Sequence, residues 1–301
     1  MRYLYYPGCS LKGTNRAYEE STLATFKALG VELEELKDWN CCGATAYMAV
    51  DEMKAFALAA RNLALAEKQD GSAGATMVAP CSGCYLVLSK TQHYLEEYSE
   101  VGRTIDTALQ AADLTYTRRV HVRHPLDVLI KEIGLQAIAG KVRRPLTGLK
   151  VASYYGCQIV RPYAAFDDQV NPTTMDRLMQ ALGAETIDWP LKTRCCGGSL
   201  MGTLQEVGLP LSYILLKEAQ KRGADVVATA CPLCHFNLEC YQGEMSRKFK
   251  EHLALPVVYF TQLLGLALGL SQHQIGMQRL LVPLKVSLAG SSKERGEYVR
   301  A

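Results

Sequence analysis

The cysteines of this chain come in two copies of one pattern. Tyr6-Pro7-Gly8-Cys9, Asn40-Cys41-Cys42-Gly43 and Ala79-Pro80-Cys81-Ser82-Gly83-Cys84 are followed, about 150 residues on, by Tyr155-Gly156-Cys157, Arg194-Cys195-Cys196-Gly197 and Ala230-Cys231-Pro232-Leu233-Cys234. Each copy is one cysteine, an adjacent pair followed by glycine, and a closing C-x2-C. Ten of the eleven cysteines belong to the two sets, and Cys240 is left over. A repeat of this length constrains the fold strongly: the chain has to build one supersecondary unit twice, and each unit has to bring five thiols together.

Between the cysteines each copy reads strand, cysteine loop, helix, strand, cysteine pair, long helix, strand, C-x2-C, helix. This is an α/β pattern, and it predicts two pseudo-repeated α/β cysteine-rich domains, each with a small and largely parallel sheet. Strands are expected at residues 3–6, 76–79, 151–154 and 226–229, which are short apolar runs rich in β-branched and aromatic side chains. Helices are expected at 14–29, 48–68, 85–98, 173–182 and 209–222. Gly30, Gly183 and Gly223 stand just past three of these, where a left-handed C-cap favours glycine. Pro172 suits the first turn of the 173–182 helix. Residues 255–270 read as a strand and then a buried helix. The expected organisation is residues 1–145, residues 146–270 and an extension over 271–301, with the turn-rich Arg143-Arg144-Pro145-Leu146-Thr147-Gly148 stretch as the linker within a joining segment over 111–150. The extension, which contains Ser291-Ser292-Lys293-Glu294-Arg295-Gly296-Glu297, is weakly periodic and is expected to be peripheral or to bind a partner.

Charge points away from nucleic acid, because 33 basic residues face 30 acidic ones without a basic block. Pro7 and Cys9 interrupt the start of the chain before a signal-peptide core can form, and no apolar run reaches the roughly 20 residues of a membrane span. A cytoplasmic chain is expected. Thiols stay reduced there, so the cysteines point to metal or redox chemistry rather than disulfides.

A C-x2-C that follows a strand and opens a helix places two thiolates by free backbone N–H groups and the positive end of the helix dipole. Zinc needs four ligands at one point, whereas each set offers five, two of them adjacent in sequence. Iron–sulfur clusters, with several irons a few ångströms apart, fit that arrangement; zinc in at least one half and metal-free thiol chemistry are the alternatives. Cys240 reads as a buried small hydrophobe. His93, His121, His124, His235, His252 and His273 have no metal-ligand spacing with one another; His235, next to Cys234, could serve a cluster but reads first as packing or capping. Lys192 and Arg194 either compensate an anionic centre or are solvated at the surface. Trp39 and Trp189 read as core. No dinucleotide fingerprint, Walker loop, ferredoxin run or H-E-x-x-H is present in the sequence, so no flavin or NAD is expected in this chain and electrons have to arrive from another protein.

These motifs resemble the cysteine-rich CCG-domain proteins and, within them, the catalytic B subunit of heterodisulfide reductases. Leu149-Lys150-Val151-Ala152-Ser153-Tyr154-Tyr155-Gly156-Cys157-Gln158, Met175-Asp176-Arg177-Leu178-Met179, Cys195-Cys196-Gly197-Gly198-Ser199-Leu200 and Cys231-Pro232-Leu233-Cys234-His235-Phe236-Asn237-Leu238 are similar to that protein's own motifs. The likeness covers about residues 1–270. Cys9 and the first pair are separated by 31 residues and Cys157 and the second pair by 37, as in the family; the following intervals, 38 and 34 residues, depart from it by a couple of residues in the loop before the strand. The resemblance implies that Cys9, Cys41, Cys42, Cys81 and Cys84 ligate one noncubane [4Fe–4S] cluster and Cys157, Cys195, Cys196, Cys231 and Cys234 another. It further implies a ferredoxin-like iron–sulfur subunit and a flavin subunit as partners, and a small disulfide such as that of coenzymes M and B as substrate. The alternative it leaves is an electron-transfer or scaffold subunit of a quinone-linked or sulfur-oxidising dehydrogenase complex.

Overall fold

The structure is a computed structural model that describes residues 1–44, 46–71 and 74–285. The first half runs β1 (Arg2–Tyr5), α1 (Gly8–Lys12), α2 (Arg16–Leu29), β2 (Glu32–Glu35), α3 (Ala46–Val50), α4 (Glu52–Asp70), β3 (Thr76–Val78), α5 (Ser82–Glu97), α6 (Ser99–Gln110), β4 (His121–Arg123), α7 (Pro125–Val128) and α8 (Leu135–Ala139). The second half runs β5 (Lys150–Tyr154), α9 (Thr174–Ala181), β6 (Glu185–Thr186), α10 (Leu200–Thr203), α11 (Gln205–Lys221), β7 (Val226–Thr229), α12 (Pro232–Cys240), α13 (Gln242–Phe249), β8 (Val257–Tyr259) and α14 (Phe260–Ala267).

The strands form two four-stranded sheets, ordered β2-β1-β3-β4 and β6-β5-β7-β8, and every pairing is parallel. The expected α/β class and the duplication are both present. Parallel strands covered on both faces have to be apolar throughout, and all four residues of β7 are buried. In each sheet the chain winds one way from the first strand to the second and the other way to the third. The crevice left at such a switch point, beyond the carboxyl ends of the strands, is where ligands bind in this architecture. Every cysteine loop of both sets leaves from such an end.

Several boundaries differ from the sequence expectation for local reasons. The helix expected over 48–68 is two helices, because Asp51 is extended (φ −153°) and its carboxylate caps α4 by accepting from Lys54 N–H at 3.2 Å. Pro172 lies ahead of α9 rather than in its first turn; the Asp167 carboxylate caps that helix, accepting from Thr173 N–H at 3.0 Å and Thr174 N–H at 2.7 Å. The joining segment contains the fourth strand of the first sheet, since His121–Arg123 pairs with Thr76–Val78. Residues 255–270 form the expected strand and buried helix, β8 and α14.

The halves pack through α14 on α2 and α7 on α9. Tyr18 of α2 stacks on Tyr259 with centroids 4.1 Å apart, and Ser21 and Thr261 hydroxyls lie 2.7 Å apart. The start of the C-terminal extension is not peripheral. Ile275 is buried, a Cβ on Gly276 (φ +70°) would sit 2.7 Å from Ala17 Cα, Arg279 forks onto Glu20, and Glu239 of α12 accepts from Leu281 N–H at 2.9 Å. Residues 271–285 therefore strap the second half to the first. The Ser291–Glu297 stretch lies outside the described residues.

Candidate metal centres

Each set is assembled by three loops that the glycines of the motif allow to approach. Gly8 and Gly156 have φ of +68° and +70°, and a Cβ on them would sit 2.9 Å from Cys84 Sγ and 3.1 Å from Cys234 Sγ. Glycine at these positions opens the space that the last sulfur of each set occupies. Gly43 and Gly197, which follow the vicinal pairs, are also left-handed, and a Cβ would meet Ala55 Cα at 3.2 Å or Gly208 Cα at 3.0 Å. A tyrosine ties the loops together in both halves: Tyr6 Oη donates to the carbonyl of Asn40 and Tyr154 Oη to that of Arg194, each at 2.7 Å and each just ahead of a vicinal pair.

The sulfurs then run in sequence from thiol to thiol. In the first set Cys9 Sγ is 3.8 Å from Cys41 Sγ and Cys42 Sγ is 3.3 Å from Cys84 Sγ, with the Cys41 thiol beside that of Cys42 and the Cys84 thiol beside that of Cys81. The second set repeats this, with Cys157 on Cys195, Cys195 on Cys196, Cys196 Sγ 3.5 Å from Cys234 Sγ, and Cys234 on Cys231. All are free thiols. Cys9, Cys41 and Cys195 are exposed, Cys157 is half-buried, and the other six are buried, so each set is a bowl with a closed floor and an open rim. The Cys81 and Cys231 thiols face each other, and Ser82 Oγ donates to the Ala230 carbonyl at 3.0 Å, which brings the two bowls into contact.

Two of the four rim thiols, Cys41 and Cys195, are held as thiolates suited to ligation, while Cys9 and Cys157 are pushed up by the thiolates they serve and by burial. Cys41 is held far below the usual thiol range by the S–H groups of Cys42 and Cys9, and Cys195 by those of Cys157 and Cys196. The donating partners move the other way: Cys42 rises to about 12 and Cys196 to about 11, chiefly through the Cys41 and Cys195 thiolates they serve. Polar N–H groups also point at sulfur, from Ala44 to Cys42 at 3.4 Å, from Gly197 to Cys195 at 3.3 Å and from Asn237 Nδ2 to Cys196 at 3.4 Å. Such bonds suit iron–sulfur thiolates. Among the described residues no three histidine, cysteine or acidic side chains are grouped as a single-ion site. Five sulfurs in a run, a glycine-lined floor and N–H donors to sulfur fit a multinuclear cluster in each bowl.

Around the bowls several expectations are corrected. Lys192 is not solvated: it is 6% exposed and lies 3.2 Å from Asp176 Oδ2, which also accepts from Tyr155 Oη at 2.7 Å. Arg194 is exposed. Cys240 is exposed rather than buried, because α12 turns that position outward. Trp189 is core, donating to Ser153 O at 3.0 Å, while Trp39 is only half-buried and donates to Glu35 Oε1 at 3.1 Å. His235 packs, stacked on Tyr259 with centroids 4.3 Å apart, and burial lowers it to about 4. Sequence reasoning gave no role to His124, Tyr18 or Ser82, which converge between the bowls; no spacing marks them, because a register and a half-to-half contact bring them there.

Comparison with known proteins agrees with this architecture. The CCG cysteine-rich domain family matches the chain twice, over residues 3–89 and 151–239. The 8-methylmenaquinol:fumarate reductase membrane anchor subunit of Wolinella succinogenes is 30% identical, over 93% of this chain and 96% of its own length. The B subunit of the ferredoxin:CoB-CoM heterodisulfide reductase of Methanosarcina mazei is 29% identical, over 90% of this chain and 91% of its own. A hypothetical protein from Helicobacter pylori shares the fold with a TM-score of 0.78 over 94% of this chain and 52% of that one, at 12% identity. No helix among the described residues is long and apolar enough to cross a membrane.

Proposed function

The chain belongs to the cysteine-rich CCG-domain family and, within it, to the family of heterodisulfide reductase B subunits, and from that premise we propose that it is the disulfide-handling iron–sulfur subunit of a multisubunit reductase complex. Cys9, Cys41, Cys42, Cys81 and Cys84 would hold one noncubane [4Fe–4S] cluster, and Cys157, Cys195, Cys196, Cys231 and Cys234 the other. When bound, the pair would supply the two electrons that cleavage of a small disulfide requires, one from each. The observation that carries this reading is the approach of the two bowls, where Ser82 Oγ, next to Cys81, donates to the carbonyl ahead of Cys231 at 3.0 Å, with the exposed thiols Cys41 and Cys195 on the rims. The chain's own residues divide the work. The buried cysteines anchor, the rim cysteines capture metal as thiolates, and the loops bonded to Tyr6 and Tyr154 keep the rims in place. A ferredoxin-like iron–sulfur subunit and a flavin subunit are the proposed partners, in a cytoplasmic complex, since reduced thiols persist there.

The relative named as a membrane anchor subunit of a quinol:fumarate reductase supports a second reading, in which the chain relays electrons or attaches a complex without acting on a disulfide. One experiment separates the two. Disulfide reduction by the iron-loaded chain with a low-potential artificial donor is measured for wild type, Cys42→Ser and Cys196→Ser. The disulfide reading predicts that either substitution abolishes turnover and that the double variant is no worse. Substantial turnover without the first set would leave only the second set as the disulfide site, and no turnover in the wild type would favour the relay.

A further inference from the structure

The two bowls touch where the first cysteines of the two C-x2-C motifs meet. Cys81 and Cys231 are the N-cap residues of α5 and α12, and both are buried. Neither cap uses its own side chain to bond its helix. The groups that hold the contact are Ser82, inside the first motif, and side chains from elsewhere in the first half. The carbonyl of Ala230, whose peptide leads into Cys231, accepts from Tyr18 Oη at 3.3 Å and from Ser82 Oγ at 3.0 Å. A carbonyl has two lone pairs, so these two donors fill it.

His124 is the donor with two attachments. It is fully buried, and its Nδ1 accepts from Leu126 N–H at 3.1 Å, which leaves the proton on Nε2. That Nε2 lies 2.9 Å from the carbonyl of Pro80, whose peptide leads into Cys81. The carbonyls that precede Cys81 and Cys231 are thereby each held by side chains of the first half. Burial lowers the ring to about 4, so it stays neutral and its tautomer stays fixed.

Strand register shows what the duplication made of this position. Arg123 pairs with Val78 and Val258 with Ala228, and Val78 and Ala228 both stand three residues ahead of their cysteine. His124 is therefore the counterpart of Tyr259. Tyr259 donates to Asn15 Oδ1 at 2.7 Å and stacks on Tyr18, which in turn bonds the Ala230 carbonyl. The two copies of one position have diverged into supports of two peptides, His124 directly on the one before Cys81 and Tyr259, through Tyr18, on the one before Cys231.

We propose that His124 is a positioning residue which, by holding the Pro80–Cys81 peptide while Tyr18 and Ser82 hold the Ala230–Cys231 peptide, fixes the contact through which two bound metal centres would be electronically coupled. This rests on the two-cluster reading above. The cysteines of the two sets would hold the centres, and coupling across this contact would let an electron pass between them with no bond made or broken. Loss of the clamp lets Cys231 draw away from Cys81 without removing a ligand, so coupling falls while iron stays.

The test uses the full iron-loaded chain, with iron counted first and electron paramagnetic resonance recorded with both centres paramagnetic. Wild type shows each signal broadened and split by the other centre. His124→Phe keeps the wild-type iron and loses most of the splitting, His124→Gln, which retains a side-chain N–H, recovers it, and Ser82→Ala loses a smaller part. Unchanged splitting in iron-replete His124→Phe overturns the proposal. Should that variant fail to hold iron, Ser82→Ala and Tyr18→Phe decide, and unchanged splitting in both overturns it equally. A wild-type chain that takes up no iron overturns the two-cluster reading itself, and the iron count tells that failure apart.

Discussion

The two halves hold their vicinal pairs by different means. In the first, Asn62 of α4 grips the backbone ahead of the pair: its Oδ1 accepts from Asn40 N–H at 2.9 Å and its Nδ2 donates to Asn40 O at 3.0 Å. In the second, Ser212 donates to the carbonyl of Cys196 at 2.7 Å, and Asn237 donates to Gly198 O at 2.9 Å as well as to the Cys196 sulfur. Behind the second bowl lies the buried Lys192, Asp176 and Tyr155 group, and beside α12 the buried Glu239 receives the strap. Along these loops the first half places its charged group at the surface, where Arg61 donates to Asp38 and to Asn40 Oδ1, and leaves Cys9 and Trp39 more open than Cys157 and Trp189. Duplication preserved the sulfurs and the tyrosine ties; the supporting residues were free to change, and the second half gained buried charge. The second bowl should therefore be the more costly to disturb.

The sharpest way to break that comparison is Lys192→Met, which leaves Asp176 buried without its cation. Stranding one partner of a buried pair costs about 3–5 kcal/mol, so urea denaturation should show a large loss of stability. A loss below about 1 kcal/mol, the range of an exposed pair, would show that the buried pair is not what supports the second bowl. Next come the motif glycines. Left-handed strain of about 1–3 kcal/mol applies to Gly43→Ala and Gly197→Ala alike, but the new Cβ in the second meets backbone at 3.0 Å on two atoms of Gly208, which cannot rotate away. Thermal melts should rank Gly197→Ala below Gly43→Ala, and the reverse order would contradict the tighter build of the second bowl.

Glu239 gives a pH-dependent contrast. Burial raises it from 4.5 to about 7 against the opposing N–H groups of Leu281 and Val282. Between those values the folded chain keeps a proton that the unfolded chain has lost, so this residue's contribution falls as pH rises through the window, by on the order of 3 kcal/mol in full. Glu239→Gln removes that dependence. The stability of wild type relative to the variant, followed by urea denaturation, should decline between about pH 5 and pH 8; a difference that stays flat would mean that the strap is not anchored on an ionising group. The smallest effect expected is that of Cys240→Ser. Cys240 is exposed and outside both sulfur runs, so iron content and melting temperature should stay within error of wild type.

Much of this was legible in the sequence, and the reason is local. The cysteines, their glycines and the strand-to-helix position of each C-x2-C are short-range features whose chemistry forces their placement. β7 is matched residue for residue at 226–229 because Val226, Val227 and Ala228 are continuously apolar and Thr229 is β-branched. Other features were hidden because they depend on contacts between distant segments. His121–Arg123 carries no apolar run and becomes a strand only by pairing with β3. Lys192 reads as a surface residue until Asp176, on another element, is seen to neutralise it. Cys240 looks like core until the pitch of α12 turns it to solvent.

The central claim is that each five-cysteine bowl holds its own cluster. It is tested most directly by counting iron and zinc in anaerobically purified wild type, Cys42→Ser and Cys196→Ser. Two four-iron clusters predict about eight irons and little zinc in the wild type, and about half that iron in each variant. One or two zinc ions with no more than about four irons in the wild type would contradict it, as would a single substitution that empties both bowls.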